Sequence, residues 1–254
     1  MTFLRLAAVV FILGCVTLAW GILGTSIELR TASGYDVLGE QVQELWGAPH
    51  YQRAPFAVVS DDGVLLQEVE LLESDIEVDL RLEHRRKGLL WYATYEVDFD
   101  AYYILQNPLN GRGTATITYR FPSSTVMYDE FEFRVGDVLA SPSGGTGQQL
   151  VTQVELNRAE QVEIHVAYKS RGLDQWHYSF GDSIATVRSF NLVVNTDFDD
   201  FDFPDNTISA SEKTPTEDGW SLEWSFNNMV SDADVGVRMP SRLNPGPVAS
   251  RMSY

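Results

Sequence analysis

The sequence predicts a mainly β protein: an N-terminal transmembrane helix, a short juxtamembrane helix, then an antiparallel β-sandwich region that could divide into two packed subdomains. Three observations carry this. Leu6 to Ile27 holds no charge, and its only polar residues are Thr17, Thr25 and Ser26; ~20 apolar residues suffice to cross the hydrocarbon of a bilayer. From Phe56 onward the apolar period changes to two, the period of half-buried strands. Short runs of this kind recur with turn residues between them, as they do in sandwiches.

The chain divides on this reading into an anchor (1–27), a juxtamembrane segment (28–50), a first β region (51–170) and a second (171–254). No sequence repeat links the two β regions. Aromatic content of 12% and widely spread glycine favour a folded body over disorder. The net charge of −18 repels DNA and RNA, so a nucleic-acid function is excluded. The single cysteine, Cys15, lies in the apolar run. The water-facing part therefore has no disulfide and depends on burial and backbone pairing.

Arg5 precedes the apolar run, and Glu28 and Arg30 follow it. A cationic start favours a cytoplasmic amino terminus and an extracytoplasmic remainder. A retained helix is preferred to a cleaved signal peptide, because no small-x-small site stands out before Thr25. A lipoprotein signal ranks third. Ile12-Leu13-Gly14-Cys15 is similar to a lipobox, but the run stays apolar through Leu23. Gly14, Gly21 and Gly24 would let another helix approach closely.

Tyr35 to Trp46 reads as a separate helix, with Leu38, Val42, Leu45 and Trp46 on one face and Gly47 and Pro49 as stops. Its polar face is acidic, which argues against lying on a lipid surface. Phe56–Val59, a turn at Asp61-Asp62-Gly63 and Val64–Leu66 form a hairpin. Ile76 to Glu83 alternates strictly between apolar and charged residues, the pattern of an antiparallel strand with one wet face. Leu89–Leu105, Thr114–Phe121 and Phe131–Val135 continue a meander. Ser141 to Gln149 is linker-like, and Val151–Leu156 is expected to pair with Val162–Tyr168. Further strands are expected at Trp176–Phe180, Val187–Thr196, Ser221–Phe226 and Val235–Met239.

Candidate chemistry is sparse. Phe180-Gly181-Asp182-Ser183-Ile184 is similar to the nucleophile block of GDS-type esterases, yet no histidine follows Ser183 to serve as base, so a turn is the better reading. His50, His84, His165 and His177 have no metal-ligand spacing. His165 is expected to face solvent. Asp197 to Asp205 contains five aspartates but lacks the EF-hand spacing and its central glycine; Phe198, Phe201 and Phe203 suggest an aromatic anchor with Asp199, Asp200 and Asp202 in water. His84-Arg85-Arg86-Lys87-Gly88 is the one basic cluster of an acidic domain. Arg85, Arg86 and Lys87 could meet lipid phosphates or an acidic partner, or form a solvated turn. No catalytic residue, metal ligand or cofactor emerges.

Arg85 through Phe99 resembles a segment of the inner membrane protein CreD family, in which a basic-Gly stretch leads into a strand of a large periplasmic domain. Trp46-Gly47, Tyr168 to Trp176, Thr196-Asp197-Phe198, Phe203-Pro204 and Asn244-Pro245-Gly246-Pro247 resemble that family as well. Together these motifs spread over most of residues 28–254, and none is catalytic. The resemblance implies an inner membrane protein with an N-terminal helix, a periplasmic β domain and several later helices. It also implies a link to a carbon-source-responsive regulon, colicin tolerance and envelope phenotypes. Tyr254 falls where the family would enter its next membrane helix, so either a truncated version of the sequence or a split or shortened member is expected.

The function expected is that of a membrane-anchored, non-enzymatic periplasmic domain with the lipid bilayer and an envelope protein as partners. Two alternatives stand beside it. One is a carbohydrate- or peptidoglycan-binding sandwich using Trp176, Trp220 and Trp224; the other is a passive scaffold for a membrane bundle.

Overall fold

The computed structural model of the chain describes residues 2–61, 64–88, 90–124, 126–139, 149–181 and 185–242. The expected turn residues Asp62 and Gly63, most of the Ser141–Gln149 linker, Asp182 to Ile184 and Asn244 to Pro247 lie outside them. Helix α1 (Thr2–Trp46) is continuous, so the anchor and the juxtamembrane helix are one element rather than two. No proline interrupts the chain between Ile27 and Trp46, and Gly34 and Gly39 are isolated. Each costs ~1 kcal/mol relative to alanine but removes no backbone donor. Arg5–Ile27 is long and apolar enough to cross a membrane, and none of it is buried against the domain. Within it the Thr17 and Thr25 hydroxyls donate to the carbonyls of Leu13 and Gly21, at 2.7 and 3.0 Å. Both thereby satisfy themselves without water.

Gly47 ends the helix at φ +104°, a left-handed cap, and a Cβ there would run into the Arg171 carbonyl oxygen. Strands follow in chain order: β1 (His50–Arg53), β2 (Phe56–Asp61), β3 (Val64–Val69), β4 (Leu71–Lys87), β5 (Leu90–Gln106), β6 (Gly113–Arg120), β7 (Asp129–Val135), β8 (Val138–Leu139) and β9 (Gln149–Leu156). After them come β10 (Gln161–Leu173), β11 (Gln175–Ser179), β12 (Ala185–Thr196), β13 (Thr207–Ile208), β14 (Glu212–Pro215), β15 (Trp220–Ser231) and β16 (Asp234–Arg238).

The strands form a β-sandwich. One layer is an eight-stranded sheet in the order β14-β15-β12-β4-β5-β10-β7-β8. Two four-stranded sheets, β1-β11-β16-β13 and β3-β2-β6-β9, contribute to the same buried cluster and cover its inner face. The alternation read from the sequence sets the faces. Ile76, Val78 and Leu80 of β4 point inward with Val97, Phe99 and Ala101 of β5, while Glu77, Asp79, Asp98 and Asp100 face water. β12 lies parallel to β4 in this sheet. The described residues of 51–170 and of 171–242 thus share one large sheet and one core.

Val151–Leu156 does not pair with Val162–Tyr168 as expected. β9 pairs with β6 in a small sheet and β10 with β5 and β7 in the large one. Both strands have an apolar face, and Asn157–Glu160 lets the chain cross from one layer to the other, so each finds its partner at long range.

The core is rich in tyrosine, and its hydroxyls are paired. Tyr119 and Tyr168 both donate to the side-chain oxygen of fully buried Gln52, at 3.0 and 2.9 Å, and Gln52 in turn donates to the Arg53 carbonyl at 2.7 Å. Tyr178 donates to the Tyr103 oxygen at 3.3 Å. Buried hydroxyls without partners cost free energy. We predict that Gln52→Leu lowers the unfolding free energy by ~3 kcal/mol in denaturant titration, because it leaves two phenols unmatched.

Candidate interaction site at the helix-proximal end

The β4–β5 hairpin carries the basic tip, and the helix docks against it. Side chains alternate across the hairpin, so Arg85 and Lys87 share the outer face with Leu90 and Tyr92, while Arg86 and Trp91 point to the other side. On the outer face Val42 packs with Leu90, Tyr92 and Leu173, with Trp46 half-buried against them. The Arg85 guanidinium lies over the Trp46 ring at 3.6 Å and donates to Glu83. Gly47 sits farther from the tip, beside Arg171, which is level with Glu96. Going backward from Gly47 to Val42, the helix therefore advances toward the tip and leaves the domain on that side.

On the other side of the tip, Arg86 lies 5.8 Å and Arg242 4.8 Å from the Trp91 ring. His84 bonds the Pro240 carbonyl at 2.9 Å, which holds the last described segment there. Arg242 was missed by sequence reasoning; it lies far along the chain in a polar stretch, and only the fold brings it to Trp91. Of the three predicted basic residues, Arg85 is therefore a support for the helix. Arg86 and Lys87, joined by Arg242, are the outward cations.

The aromatic-acidic loop begins at the same end, where Asp197 accepts from the Leu82 amide at 2.7 Å. As expected, its aromatics anchor it. Phe198 is buried, Phe201 and Phe203 pack edge to face, and they reach Trp220 and Trp224. Asp199, Asp200 and Asp202 are exposed. Asp199 offers its carbonyl to the Trp220 indole, and Asp202 pairs with Arg238 through the backbone and caps Phe203. No described contact joins these acids to the basic tip, so the predicted site residues form two separate clusters. Among the described residues no three His, Cys, Asp or Glu side chains converge on a metal position.

His165 departs from expectation. It sits on the outer face, but its side chain is only 12% exposed. Tyr102 stacks on the ring at 4.4 Å, and the carboxylates of Asp100 and Glu132 flank its nitrogens at 3.2 and 3.5 Å. Its strand neighbours fill the space that solvent would occupy. Trp176 and Trp224 are fully buried, so they give a sugar no platform.

Beneath the helix cap, His50 opens β1 with no exposed surface and no described side-chain partner at either ring nitrogen. Burial lowers its pKa to about 4, outweighing a main-chain contact with Arg171. His177, stacked on Tyr51, is lowered to about 4 by burial and by Arg238. Burial pushes the Asp174 carboxyl up to about 6.

These groups define a β-sandwich domain carried on one N-terminal apolar helix that is docked at a basic hairpin tip. No family model matches the chain, and no curated protein matches it. Among solved structures it is similar to a protein of Legionella pneumophila subsp. pneumophila str. Philadelphia 1 that is provisionally described as a nutrient binding protein. Their TM-score is 0.53 at 13% identity, over 75% of this chain and 71% of that one. At that identity the likeness shows the fold alone.

An unfolded histidine takes its proton near 6.5, whereas folded His50 takes it only near 4. Its contribution is complete above 6.5 and is lost as pH falls from there toward 4, on the order of 3 kcal/mol in all. Asp174 works the other way, because its protonation below about 6 relieves the folded state. In thermal unfolding at about pH 7 and about pH 5, His50→Gln should therefore show a smaller drop in Tm than the parent chain. An equal drop would mean that His50 is not the group responsible.

Proposed function

We propose that this chain is a non-enzymatic, membrane-anchored interaction protein of the CreD-like type. In this reading α1 is held in the inner membrane, the β domain stands in the periplasm, and the tip meets an acidic surface on an envelope protein. The observation that carries it is the single helix running from the apolar segment into a packed contact with the domain. A flexible linker would leave the orientation of the tip free, whereas this contact sets it.

The dimensions support the reading. Fifteen residues separate Ile27 from Val42, or ~22 Å of helix. The tip reaches ~7 Å beyond Tyr92 toward the bilayer, and the headgroup layer occupies ~5–7 Å. Arg86, Lys87 and Arg242 then stand on the order of 10 Å above the headgroups, about one Debye length. A local cluster of cations on a chain of net charge −18 selects acidic partners there and steers them. The last described residues pack on the same hairpin as the helix, so both ends of the domain meet at its base.

A photo-crosslinking residue placed at Lys87 in intact cells tests this. The expected outcome is capture of a defined envelope protein that disappears when Arg86→Glu and Arg242→Glu are combined. Arg85 is left intact because it supports Trp46. Capture of nothing by a folded, membrane-held domain would favour the passive scaffold instead.

A further inference from the structure

A second feature lies toward the opposite end of the sandwich, where the three sheets part. The chain passes between sheets there, from β1 to β2 through Arg53 to Phe56 and from β3 to β4 through Val69 to Leu71. Between these crossings and the start of β12 is a cleft of about 580 Å³. Its apolar wall consists of Tyr178, Phe180 and Phe190, packed on one another with ring centroids 4.9–5.8 Å apart. Phe190 and Tyr178 are core residues, whereas Phe180 keeps part of its ring open.

Three arginines, Arg53, Arg120 and Arg188, line the same space with two carboxylates, Glu68 and Glu70. Arg188 is paired with Glu70 at 3.3 Å, and Arg53 also faces Asp234. Within the lining itself three guanidiniums stand against two carboxylates, and Asp234 faces Arg53 from outside it. Each guanidinium has five donors, so one partner leaves others for a planar carboxylate. A cavity of this size with an apolar wall and a few converging polar groups is the usual form of a small-molecule site.

We propose that this cleft binds a small organic carboxylate with a flat apolar body. The body lies against Phe180, and the carboxylate faces Arg120 and Arg53. The site is separate from the basic tip and independent of the interaction role given to it.

Calorimetric titration of the full chain in detergent with phenylacetate tests the assignment. Acetate serves as the probe without a body, and phenethylamine as the same body with opposite charge. Saturable binding of phenylacetate alone is expected, with about a tenfold or greater loss of affinity in Arg120→Gln. Arg120 is exposed on β6, and an unchanged far-ultraviolet circular dichroism spectrum of Arg120→Gln checks that this variant keeps the fold. Phe180→Ser should weaken phenylacetate without creating acetate binding. The absence of saturation at millimolar phenylacetate, equal binding of the amine, or an unchanged affinity in Arg120→Gln would each overturn the assignment. Capture at the tip would be unaffected by any of these results.

Discussion

Arg85 lies over the Trp46 ring, and the relation between the apolar helix and the domain depends on this contact. A guanidinium against an indole contributes ~0.5–2 kcal/mol, more where water is excluded. Val42, Leu90, Tyr92 and Leu173 exclude that water, and each is under 10% exposed. Gly47 completes the lock, because only a residue without a side chain passes the Arg171 carbonyl in this conformation. Helix, cap and hairpin thus act as one mechanical unit. Without it, α1 would be a tether of unspecified direction.

The molecule that results has two ends of different character. The helix-proximal end gathers Arg86 and Arg242 around Trp91, with Lys87 on the opposite face of the hairpin. The other end opens into a cleft with an aromatic wall and arginines. Between them the outer face of the large sheet carries cross-strand ion pairs. Arg171 reaches Glu96 at 3.0 Å, and Lys169 reaches Glu130 at 2.6 Å and Asp98 at 3.9 Å. Exposed pairs of this kind contribute little to stability. They do keep the wet face of the long strands charged and of mixed sign, which opposes adhesion of sheet faces.

Much of the strand content was legible because it rests on local alternation. Ile76 to Glu83 could bury one face only as a strand, and it does. The anchoring role of Phe198, Phe201 and Phe203 was legible for the same reason, since bulky aromatics among aspartates have only one way to leave water. Pairing was not legible. β9 and β10 have similar faces, and their separation into different sheets follows from shape complementarity with β6 and β5, about which local sequence is silent. The parallel neighbours β12 and β4 arise in the same way. The continuity of α1 was concealed by a change from uniform apolarity to amphipathic spacing. That change marks where the apolar segment ends, not where the helix stops. Arg242 was hidden by distance along the chain, and the two roles of the basic run appeared only once Trp46 took up Arg85.

The most direct measurement places a spin label at Lys87, and in a second preparation at Asn110, in the full chain reconstituted into nanodiscs with headgroup-bound paramagnetic or quenching lipid. Asn110 follows the far end of β5, ~50 Å along the strand from the tip. A helix locked to the hairpin predicts strong relaxation at position 87 and none at position 110. Equal effects at the two positions, or a stronger effect at 110, would contradict the account, because the domain would then turn freely on its helix or face the bilayer with its other end.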